Sequence, residues 1–502
     1  MDHRALSADD RWTVLSLDHT PSRRQFLRSL GLGLAGLSLQ GSVLTTAVAS
    51  GARPSKKNLP NVIFCMADDL GWGDTGYNGH PRIQTPYLDQ MAREGLCFDR
   101  FYSGAPVCSP TRGSVLTGRH PQRLGIRWAN DGRIGSEEIT LAELVKEEGY
   151  TTGHFGKWHL GTLTTELTDS NRGRPGNEEE YSPPWENGFD VCFSTEAKVP
   201  TWDPMKKPEG EAPKQGWTPL DEDAPSEPYG TRYWEGPGQI AGDNLEGDDS
   251  RVIMDRAVGF IEEAVTRDTP FFAVIWFHAP HLPVVAGPKT TASYLDLDPY
   301  TKNYYGCITA LDQQMGRLRE TLARLGVGHE TLLWFCSDNG PEGKEGQAPG
   351  SAGPFRGRKR SLYEGGVRVP GLLVWPDKIP SGRKTDLPCV TSDLFPTVLD
   401  VVGEKLPSDR RPYDGISLLS LVEGRLKKRP SPIAFESRDQ LSLTDNQYKL
   451  YSKDDGDTFE LYDLIEDPGE TRDLADTHPK IVQRMQNTLE TWRHSCRDDP
   501  VS

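Results

Sequence analysis

Four short runs of apolar, β-branched and aromatic residues stand out in an otherwise polar chain, at residues 61–66, 151–155, 271–277 and 331–336. Continuous runs of this length are typical of strands that are buried on both faces. Segments with helical periodicity lie between them, at residues 136–148, 250–265 and 304–325. The pattern therefore predicts an α/β fold in which helices sandwich a large mixed, mostly parallel sheet.

Beyond residue 425 the apolar runs become shorter and alternate with polar residues. They predict three antiparallel strands and a final amphipathic helix, at residues 432–436, 448–451, 459–462 and 480–492. We expect a catalytic domain over residues 59–424 and a smaller C-terminal subdomain, an antiparallel sheet plus a helix, over residues 425–502. Residues 162–250 are rich in Pro, Gly, Glu and Asp and are expected to form a long loop excursion.

The first 49 residues are expected to be removed rather than to join the fold. Arg23 and Arg24 precede a Gly-, Leu- and Ala-rich run that reaches Ala49, and this arrangement resembles a twin-arginine signal peptide. A membrane anchor is the alternative, although the run is short of strongly apolar residues. The prediction is export by the twin-arginine machinery, to the periplasm or the outside of the cell, with cleavage near Ala49.

The charge balance limits the classes of partner. The 502 residues include 57 Lys and Arg against 73 Asp and Glu, a formal net charge of −16. A general nucleic-acid binder needs a basic face, so no nucleic-acid partner is expected, and an anionic ligand would need a locally basic pocket. The eight cysteines include no CxxC pair, which argues against a zinc or thioredoxin-like site, and their spacing identifies no disulfide.

Polar residues follow each of the four predicted strands directly: Asp68, Asp69, Lys157, His159, His278, His281, Asp338 and Asn339. Ligands of open α/β sheets bind in the crevice outside the carboxyl ends of the strands. We therefore expect these side chains to contribute to one active site.

Four of these residues form an all-oxygen set of candidate metal ligands, namely Asp68, Asp69, Asp338 and Asn339. Such a set suits a hard cation, calcium or magnesium, whereas zinc would draw histidine or cysteine. The cation would add positive charge to the crevice, which an anionic substrate could share.

Residues 108–119, CSPTRGSVLTGR, place one cysteine in a distinctive setting. Pro110 suits the first turn of a helix and Gly118 suits its end, so Cys108 is expected at the helix N-terminus, where an anion is favoured. Arg112 lies one turn further on the same side. A cysteine in that position is expected to have a lowered pKa, and with His159 or His281 it could serve a thiol hydrolase.

The same stretch resembles the C-x-P-x-R signature of the type I sulfatases, in which the cysteine is oxidised to formylglycine after translation. Further stretches match that family in order, at residues 67–69, 156–161, 279–281, 337–340, 359–368 and 461–470. By this resemblance the chain is identified as an arylsulfatase-like member of the alkaline phosphatase superfamily, a sulfuric ester hydrolase.

The resemblance implies two cofactors and a partner. The cofactors are a formylglycine derived from Cys108 and a bound calcium ion, with magnesium less favoured; the partner is a formylglycine-generating enzyme. The metal ligands would be Asp68, Asp69, Asp338, Asn339 and residue 108 itself. In the implied reaction, one hydroxyl of the hydrated aldehyde attacks sulfur while Asp338 and the cation lower its pKa.

The resemblance also implies the remaining catalytic roles. His281 or Lys359 would give a proton to the leaving alcohol, and His159 would take one from the second hydroxyl, which expels inorganic sulfate. Lys157 and Arg112 would hold the diol and offset charge on the sulfuryl oxygens.

A sulfated carbohydrate is the expected substrate, because the excursion carries several tryptophans and residues 356–360 are basic. The candidate rim residues are His278, which is expected to orient its loop, with Arg356, Arg358, Trp185, Trp202 and Trp234. The tryptophans are equally consistent with pinning the excursion to the core. A phosphoester or phosphonate hydrolase of the same superfamily is the first alternative, and an inactive glycan-binding protein with an unmodified Cys108 is the second.

Overall fold

The structure, a computed structural model, describes residues 59–406 and 411–499. The predicted signal peptide lies outside the described residues.

The strands of the described chain are β1 (Asn61–Ala67), β2 (Leu96–Phe98), β3 (Phe101–Tyr102), β4 (Thr151–Lys157), β5 (Val191–Thr195), β6 (Lys206–Pro208), β7 (Ser226–Pro228), β8 (Trp234–Gly236), β9 (Gln239–Ile240), β10 (Phe271–Trp276), β11 (Thr331–Ser337), β12 (Arg368–Val369), β13 (Gly371–Val374), β14 (Arg383–Thr385), β15 (Cys389–Val390), β16 (Ile433–Ser437), β17 (Gln440–Thr444), β18 (Tyr448–Ser452) and β19 (Glu460–Asp463).

The α-helices of the described chain are α1 (Pro86–Glu94), α2 (Cys108–Thr117), α3 (Leu141–Glu147), α4 (Asp249–Thr266), α5 (Pro288–Thr291), α6 (Pro299–Arg324), α7 (Glu364–Val367), α8 (Leu394–Val402), α9 (Leu419–Val422) and α10 (Pro479–Arg497). No helix within these described ranges is long and apolar enough to span a membrane.

Ten strands of the described chain form one central sheet in the order β14-β2-β13-β11-β1-β10-β4-β5-β8-β9. Its centre, from β11 to β5, is parallel, and antiparallel strands flank it on both sides. Every residue of β1, β10 and β11 is buried. The continuous apolar runs are explained by this position, because neither face of a central strand meets water.

Helices cover both faces of this sheet. Alternate side chains of β1 point to opposite sides: Phe64 joins a core beneath α2, α3 and α8, whereas Ile63 joins a second core beneath α1, α4 and α6. The predicted sandwich of helices around a mostly parallel sheet is confirmed. The four predicted strands are present, each with bounds that differ from the prediction by no more than two residues.

Residues 162–250 differ from the expectation of a loop excursion. They include β5, which pairs in parallel with β4 and widens the central sheet, and the short strands β6 to β9. The sequence around β5, Val191-Cys-Phe-Ser-Thr195, is a five-residue buried strand inside a Pro- and Gly-rich surrounding. The strand was not predicted, because the Pro- and Gly-rich composition of residues 162–250 indicates a loop.

A separate four-stranded antiparallel sheet, β16-β17-β18-β19, follows near the C-terminus, with α10 packed against it through Met485 and Leu489. Three of its strands and the helix are as predicted, and β17 was not predicted. This confirms the smaller C-terminal sheet plus helix, while the proposed domain boundary at residues 424 and 425 stays a prediction.

Candidate active site

The acidic residues after β1 and β11 meet at the carboxyl edge of the sheet. Asp338 Oδ1 accepts a hydrogen bond from the backbone N–H of Asp69 at 3.1 Å, and the side-chain amide of Asn339 donates to Asp69 Oδ1 at 2.7 Å. Asp69 adopts a left-handed backbone with φ of 68°, which aspartate tolerates better than most residues. Parallel neighbouring strands thus bring the four predicted oxygen ligands into one cluster.

Helix α2 begins at Cys108 and ends before Gly118, as predicted. Gly118 has φ of 69°, and its N–H closes the helix on the carbonyl of Ser114 at 3.0 Å. The sulfur of Cys108 lies 3.6 Å from Asp68 Oδ1, so the helix N-terminus faces the acidic cluster. The start of α2 therefore places residue 108 next to the candidate metal ligands.

Three buried cations neutralise this cluster. Lys157 Nζ lies 2.6 Å from Asp68 Oδ2, Lys359 Nζ lies 2.5 Å from Asp69 Oδ1, and Arg112 pairs with Asp338 Oδ2 at 2.6 Å. Arg112 also donates to the backbone carbonyl of Lys157 at 2.9 Å, and its guanidinium lies over the ring of Trp276. Arg112 is enclosed by protein, so it acts on the positions of Asp338 and Lys157.

The charges shift the pKa values of the carboxyl groups in opposite directions. Burial opposes ionisation of Asp68, but Lys157, His281 and Arg112 outweigh it and hold its pKa well below the usual value. Burial, together with the negative charge of Asp68, raises the pKa of Asp338 to about 7 despite Arg112. Burial also opposes the charge of Lys359, yet Asp69 and the neighbouring groups raise its pKa well above the usual value.

The residues fit a hard cation. Asp69 Oδ2 and Asn339 Oδ1 are buried and have no hydrogen-bond partner within the described ranges. Ligand atoms of Asp68, Asp69, Cys108 and His281 lie within 4.8 Å of one another. Buried oxygens without a donor are costly unless a ligand satisfies them, and an all-oxygen set favours calcium or magnesium. Asp68, Asp69, Asp338 and Asn339 would supply those oxygens.

The predicted lowering of the Cys108 pKa is wrong. Burial raises the pKa of this thiol to about 12; Lys157 and Lys359 lower it only in part, and Asp338 and Asp68 raise it further. The helix N-terminus does favour an anion, but desolvation is the larger effect at a buried sulfur. In the absence of a bound cation, burial therefore disfavours the thiolate that a thiol hydrolase would need.

The three predicted histidines have different surroundings. His281 lines the cavity with Nε2 3.7 Å from Asp69 Oδ2, and its Nδ1 donates to the carbonyl of Leu282. Burial lowers the pKa of His281 to about 4, although Asp68 and Asp69 favour its charged form. His159 is buried, and burial followed by the charge of Lys157 lowers its pKa well below the usual value. His278 is buried between Asp249 and Thr195, each 2.8 Å from one of its ring nitrogens.

A cavity of about 840 Å³ opens over Cys108. Its charged lining comprises Lys157, Lys198, Lys207, Lys214, Lys359, Arg360, Glu211 and Glu342. Four of the six basic groups are paired with carboxylates, Lys157 with Asp68, Lys359 with Asp69, Arg360 with Glu342 and Lys207 with Glu227. Lys198 and Lys214 add positive charge to this lining, which an anionic ligand requires in an acidic protein. Trp128, Trp217 and Tyr229 add aromatic surface to the same wall.

The basic members of the predicted rim lie away from this cavity and make structural contacts. The Arg356 guanidinium stacks 3.8 Å from the centre of the Tyr363 ring, and Arg358 donates to the carbonyl of Glu342 at 2.9 Å. His278 is buried, with Asp249 2.8 Å from one ring nitrogen. None of the three is among the lining residues.

The predicted rim tryptophans also lie elsewhere. Trp234 is buried and donates from Nε1 to Asp169 Oδ2 at 3.0 Å. Trp185 packs against the core on one face of the sheet, and Trp202 lies over Gly287. These contacts match the structural alternative, in which the tryptophans pin the excursion to the core.

Several cavity residues were not predicted, among them Asn130, Lys198, Lys207 and Lys214. No motif marks them. The three lysines come from the excursion, and so does Trp217, one of the excursion tryptophans for which sugar stacking was an expected role.

The sheet and the acidic cluster at its carboxyl edge define an α/β enzyme, and its sulfatase relatives place it in the alkaline phosphatase superfamily. The chain belongs to the sulfatase family, whose model matches residues 60–404. A second model, N-sulphoglucosamine sulphohydrolase, C-terminal, matches residues 353–495. Members of the sulfatase family are sulfuric ester hydrolases, so the predicted family and enzyme class are confirmed.

Individual relatives agree with the family match. N-acetylgalactosamine-6-sulfatase of Mus musculus is 33% identical over 411 residues, covering 78% of this chain and 72% of the relative. Arylsulfatase A of Homo sapiens is 31% identical over 489 residues, covering 88% and 89%. The crystal structure of Ps i-CgsB in complex with k-i-k-neocarrahexaose is 26% identical with a TM-score of 0.70, covering 87% of this chain and 93% of that chain.

Proposed function

We propose that this protein hydrolyses O-sulfate esters of carbohydrates through a formylglycine formed from Cys108, with a bound calcium ion, and releases inorganic sulfate. The observation that carries the proposal is the position of Cys108. It lies at the N-terminus of α2, beside four candidate oxygen ligands and two buried lysines, at the base of a basic cavity.

Two groups complete the chemistry when present. Formylglycine supplies, in its hydrated form, two hydroxyls on one carbon, so that one can bind sulfur and the other can later release it. A divalent cation held by Asp68, Asp69, Asp338 and Asn339 supplies positive charge that offsets the charge of the sulfate.

Two lysines of the chain hold the reacting group in place. Lys157 and Lys359 both line the cavity and carry the charge that sulfate oxygens need. Arg112 is enclosed and does not line the cavity, so its part is to hold Asp338 and the backbone of Lys157 in position.

Two groups can give a proton to the leaving alcohol. Lys359 keeps its proton because Asp69 stabilises the ammonium. His281 is neutral in the surroundings described here, because burial dominates its pKa, and a negatively charged sulfate at the cavity base would favour its protonation. His159 also lines the cavity, and because burial keeps it neutral it has a free lone pair that can accept a proton.

The cavity wall supports a substrate with more than one negative charge. Lys207 pairs with Glu227 at 2.8 Å, whereas Lys198 and Lys214 form no ion pair within the described chain. Unpaired lysines beside a catalytic centre favour an anion in addition to the reacting sulfate. Trp217 and Tyr229 offer flat apolar surface of the kind on which sugar rings stack.

Matched substrates and variants test this function. The wild-type protein should hydrolyse an aryl sulfate in preference to the corresponding aryl phosphate, and Cys108→Ala should lose at least about 1,000-fold in kcat/KM. Cys496→Ala is the control, because Cys496 lies in α10, outside the cavity lining. A preference for phosphate would contradict the proposal, and full activity of Cys108→Ala would exclude Cys108 as the nucleophile precursor.

A second comparison tests the substrate. Lys198→Ala should raise KM for a disulfated sugar by about tenfold and change KM for a monosulfated aryl ester by less than about twofold, the tenfold effect corresponding to about 1.4 kcal/mol of binding. Lys206→Ala is the matched control, because Lys206 is exposed on β6 and does not line the cavity. Equal effects of Lys198→Ala on both substrates would contradict a second anion site.

The export proposal concerns residues outside the described structure. Arg23 and Arg24 with the run to Ala49 support export by the twin-arginine machinery, which carries folded proteins. A formylglycine-generating enzyme would then act on Cys108 before export, since the folded chain buries that residue. Arg23→Lys combined with Arg24→Lys should retain the protein in the cytoplasm, as measured by fractionation, and unchanged export would contradict the proposal.

A further inference from the structure

His159 is held in an unusual setting. Its backbone is left-handed, with φ of 61°, a conformation that persists in a non-glycine residue only when the surroundings support it. Its backbone N–H donates to the carbonyl of Glu196 at 2.8 Å, and its ring Nε2 lies 2.7 Å from Oδ1 of Asn130. The other ring nitrogen, Nδ1, is buried and has no hydrogen-bond partner within residues 59–406 and 411–499.

The contacts of Asn130 decide which nitrogen of His159 carries hydrogen. Oδ1 of Asn130 accepts a second hydrogen bond, from the side-chain amide of Asn171 at 2.7 Å. Since an amide oxygen can only accept, Nε2 of His159 must be the donor. The neutral imidazole then has its lone pair on Nδ1, the nitrogen that is left without a partner.

The loop that carries Asn130 is hydrogen-bonded to helix α2, which begins at Cys108, and to the excursion. Its backbone N–H donates to Oγ of Ser109, the residue after Cys108, at 3.4 Å. In the next part of the loop, the carbonyl of Gly132 accepts from Arg172 at 2.8 Å. Arg172 in turn pairs with Glu196 at 3.2 Å, and Glu196 binds the backbone of His159, which closes a ring of contacts around the histidine.

We propose that Asn130 is a positioning residue for His159, and that Asn171 and Arg172 of the excursion hold Asn130 in place. The inference rests on the proposed function, in which His159 accepts a proton at the reacting centre. The hydrogen bond from Nε2 selects the tautomer and fixes the ring, so that Nδ1 is available as the base. Part of the excursion thereby contributes to catalysis as well as to the cavity wall.

Substitution of Asn130 should affect turnover more than binding. Asn130→Ala should lower kcat for an aryl sulfate by about 10- to 100-fold with KM changed by less than about twofold. The reason is that a mispositioned base stabilises the transition state less, whereas the binding of the substrate does not depend on it. Asn171→Ala should have a smaller effect in the same direction. Asp131→Ala is the control in the same loop, because Asp131 is exposed and does not line the cavity.

The conservative variant separates positioning from a general effect on folding. Asn130→Asp keeps an acceptor for Nε2 and should restore kcat to within a few-fold of wild type. The charged groups that face His159 are Lys157, Arg172, Arg112 and Asp68. A carboxylate added at residue 130 would favour the imidazolium, so the acidic limb of the kcat profile should move to higher pH.

The outcomes distinguish the inference from the proposed function. Full kcat in Asn130→Ala, with His159→Ala inactive, would overturn the role of Asn130 and leave the function intact. Full activity in His159→Ala would remove the base and the inference together, and an inactive wild-type protein would refute the function itself. If Asn130→Ala does not fold, an unmoved acidic limb in Asn130→Asp overturns the inference.

Discussion

Replacement of Lys449 by methionine should destabilise the protein strongly, although Lys449 is remote from the cavity lining. Lys449 lies in β18 and is fully buried, with its Nζ 3.1 Å from Glu364 and 3.0 Å from Glu470. It therefore joins the C-terminal sheet to two carboxylates that precede and follow that sheet in sequence. The backbone N–H of Glu364 also donates to Glu470, which fixes the two acids side by side.

The size of the effect follows from the charge that remains. Methionine fills most of the lysine volume, so at pH 8, where Glu470 is mostly ionised in wild type, the loss comes from two buried carboxylates without their shared cation. Breaking a buried ion pair in this way costs about 3–5 kcal/mol. Glu364 keeps Arg368 at 3.3 Å, so Glu470 bears most of the loss. Lys449→Met combined with Glu470→Gln should therefore regain at least about 1 kcal/mol relative to the single variant.

Equilibrium unfolding in urea at pH 8, followed by fluorescence and circular dichroism, measures both differences. Lys453→Met is the control, because Lys453 is exposed just beyond the same strand and should change stability by no more than about 0.5 kcal/mol. A Lys449→Met protein within about 1 kcal/mol of wild type would refute the reasoning, and so would a double variant less stable than the single one.

Three further predictions concern pH, metal and the excursion. Burial raises the pKa of Glu470 from 4.5 to about 7, because the buried site disfavours the charged form more than Lys449 favours it. The stability of wild type relative to Glu470→Gln should therefore fall as the pH rises from 4.5 through 7, and a flat difference in urea midpoints would contradict this. Removal of metal with a chelator should abolish sulfatase activity, and calcium should restore it better than magnesium; activity unaffected by exhaustive chelation would argue against the cation. Trp234→Phe should cost about 1–2 kcal/mol through loss of the hydrogen bond to Asp169, with an unchanged KM; a higher KM at unchanged stability would favour sugar binding instead.

The sequence predicted the centre of the fold well because the central strands are buried on both faces. A run such as Phe271–Trp276 needs no partner to be recognised, since its composition reflects its burial. Very short strands carry no such mark: β2 and β13 are buried but only three and four residues long, and they pair with each other inside the edge strand β14. Their positions depend on long-range pairing, which local pattern does not contain.

The acidic cluster was predictable for a related reason. Residues that follow parallel strands share one edge of the sheet, so Asp68 and Asp338 could be placed together without knowledge of their contacts. The cavity wall could not be predicted in that way. Lys198 and Lys214 reach the cavity only because the excursion folds back over the sheet edge, and the thiol pKa of Cys108 depends on how deeply that residue is buried.

The central claim is that Cys108 is converted to formylglycine and that this residue performs sulfate ester hydrolysis. Mass spectrometry of the peptide containing residue 108, from active protein co-produced with a formylglycine-generating enzyme, tests it most directly. The expected result is the mass of formylglycine, in a proportion that rises and falls with sulfatase activity across preparations. Active protein in which residue 108 is entirely an unmodified cysteine would contradict the account.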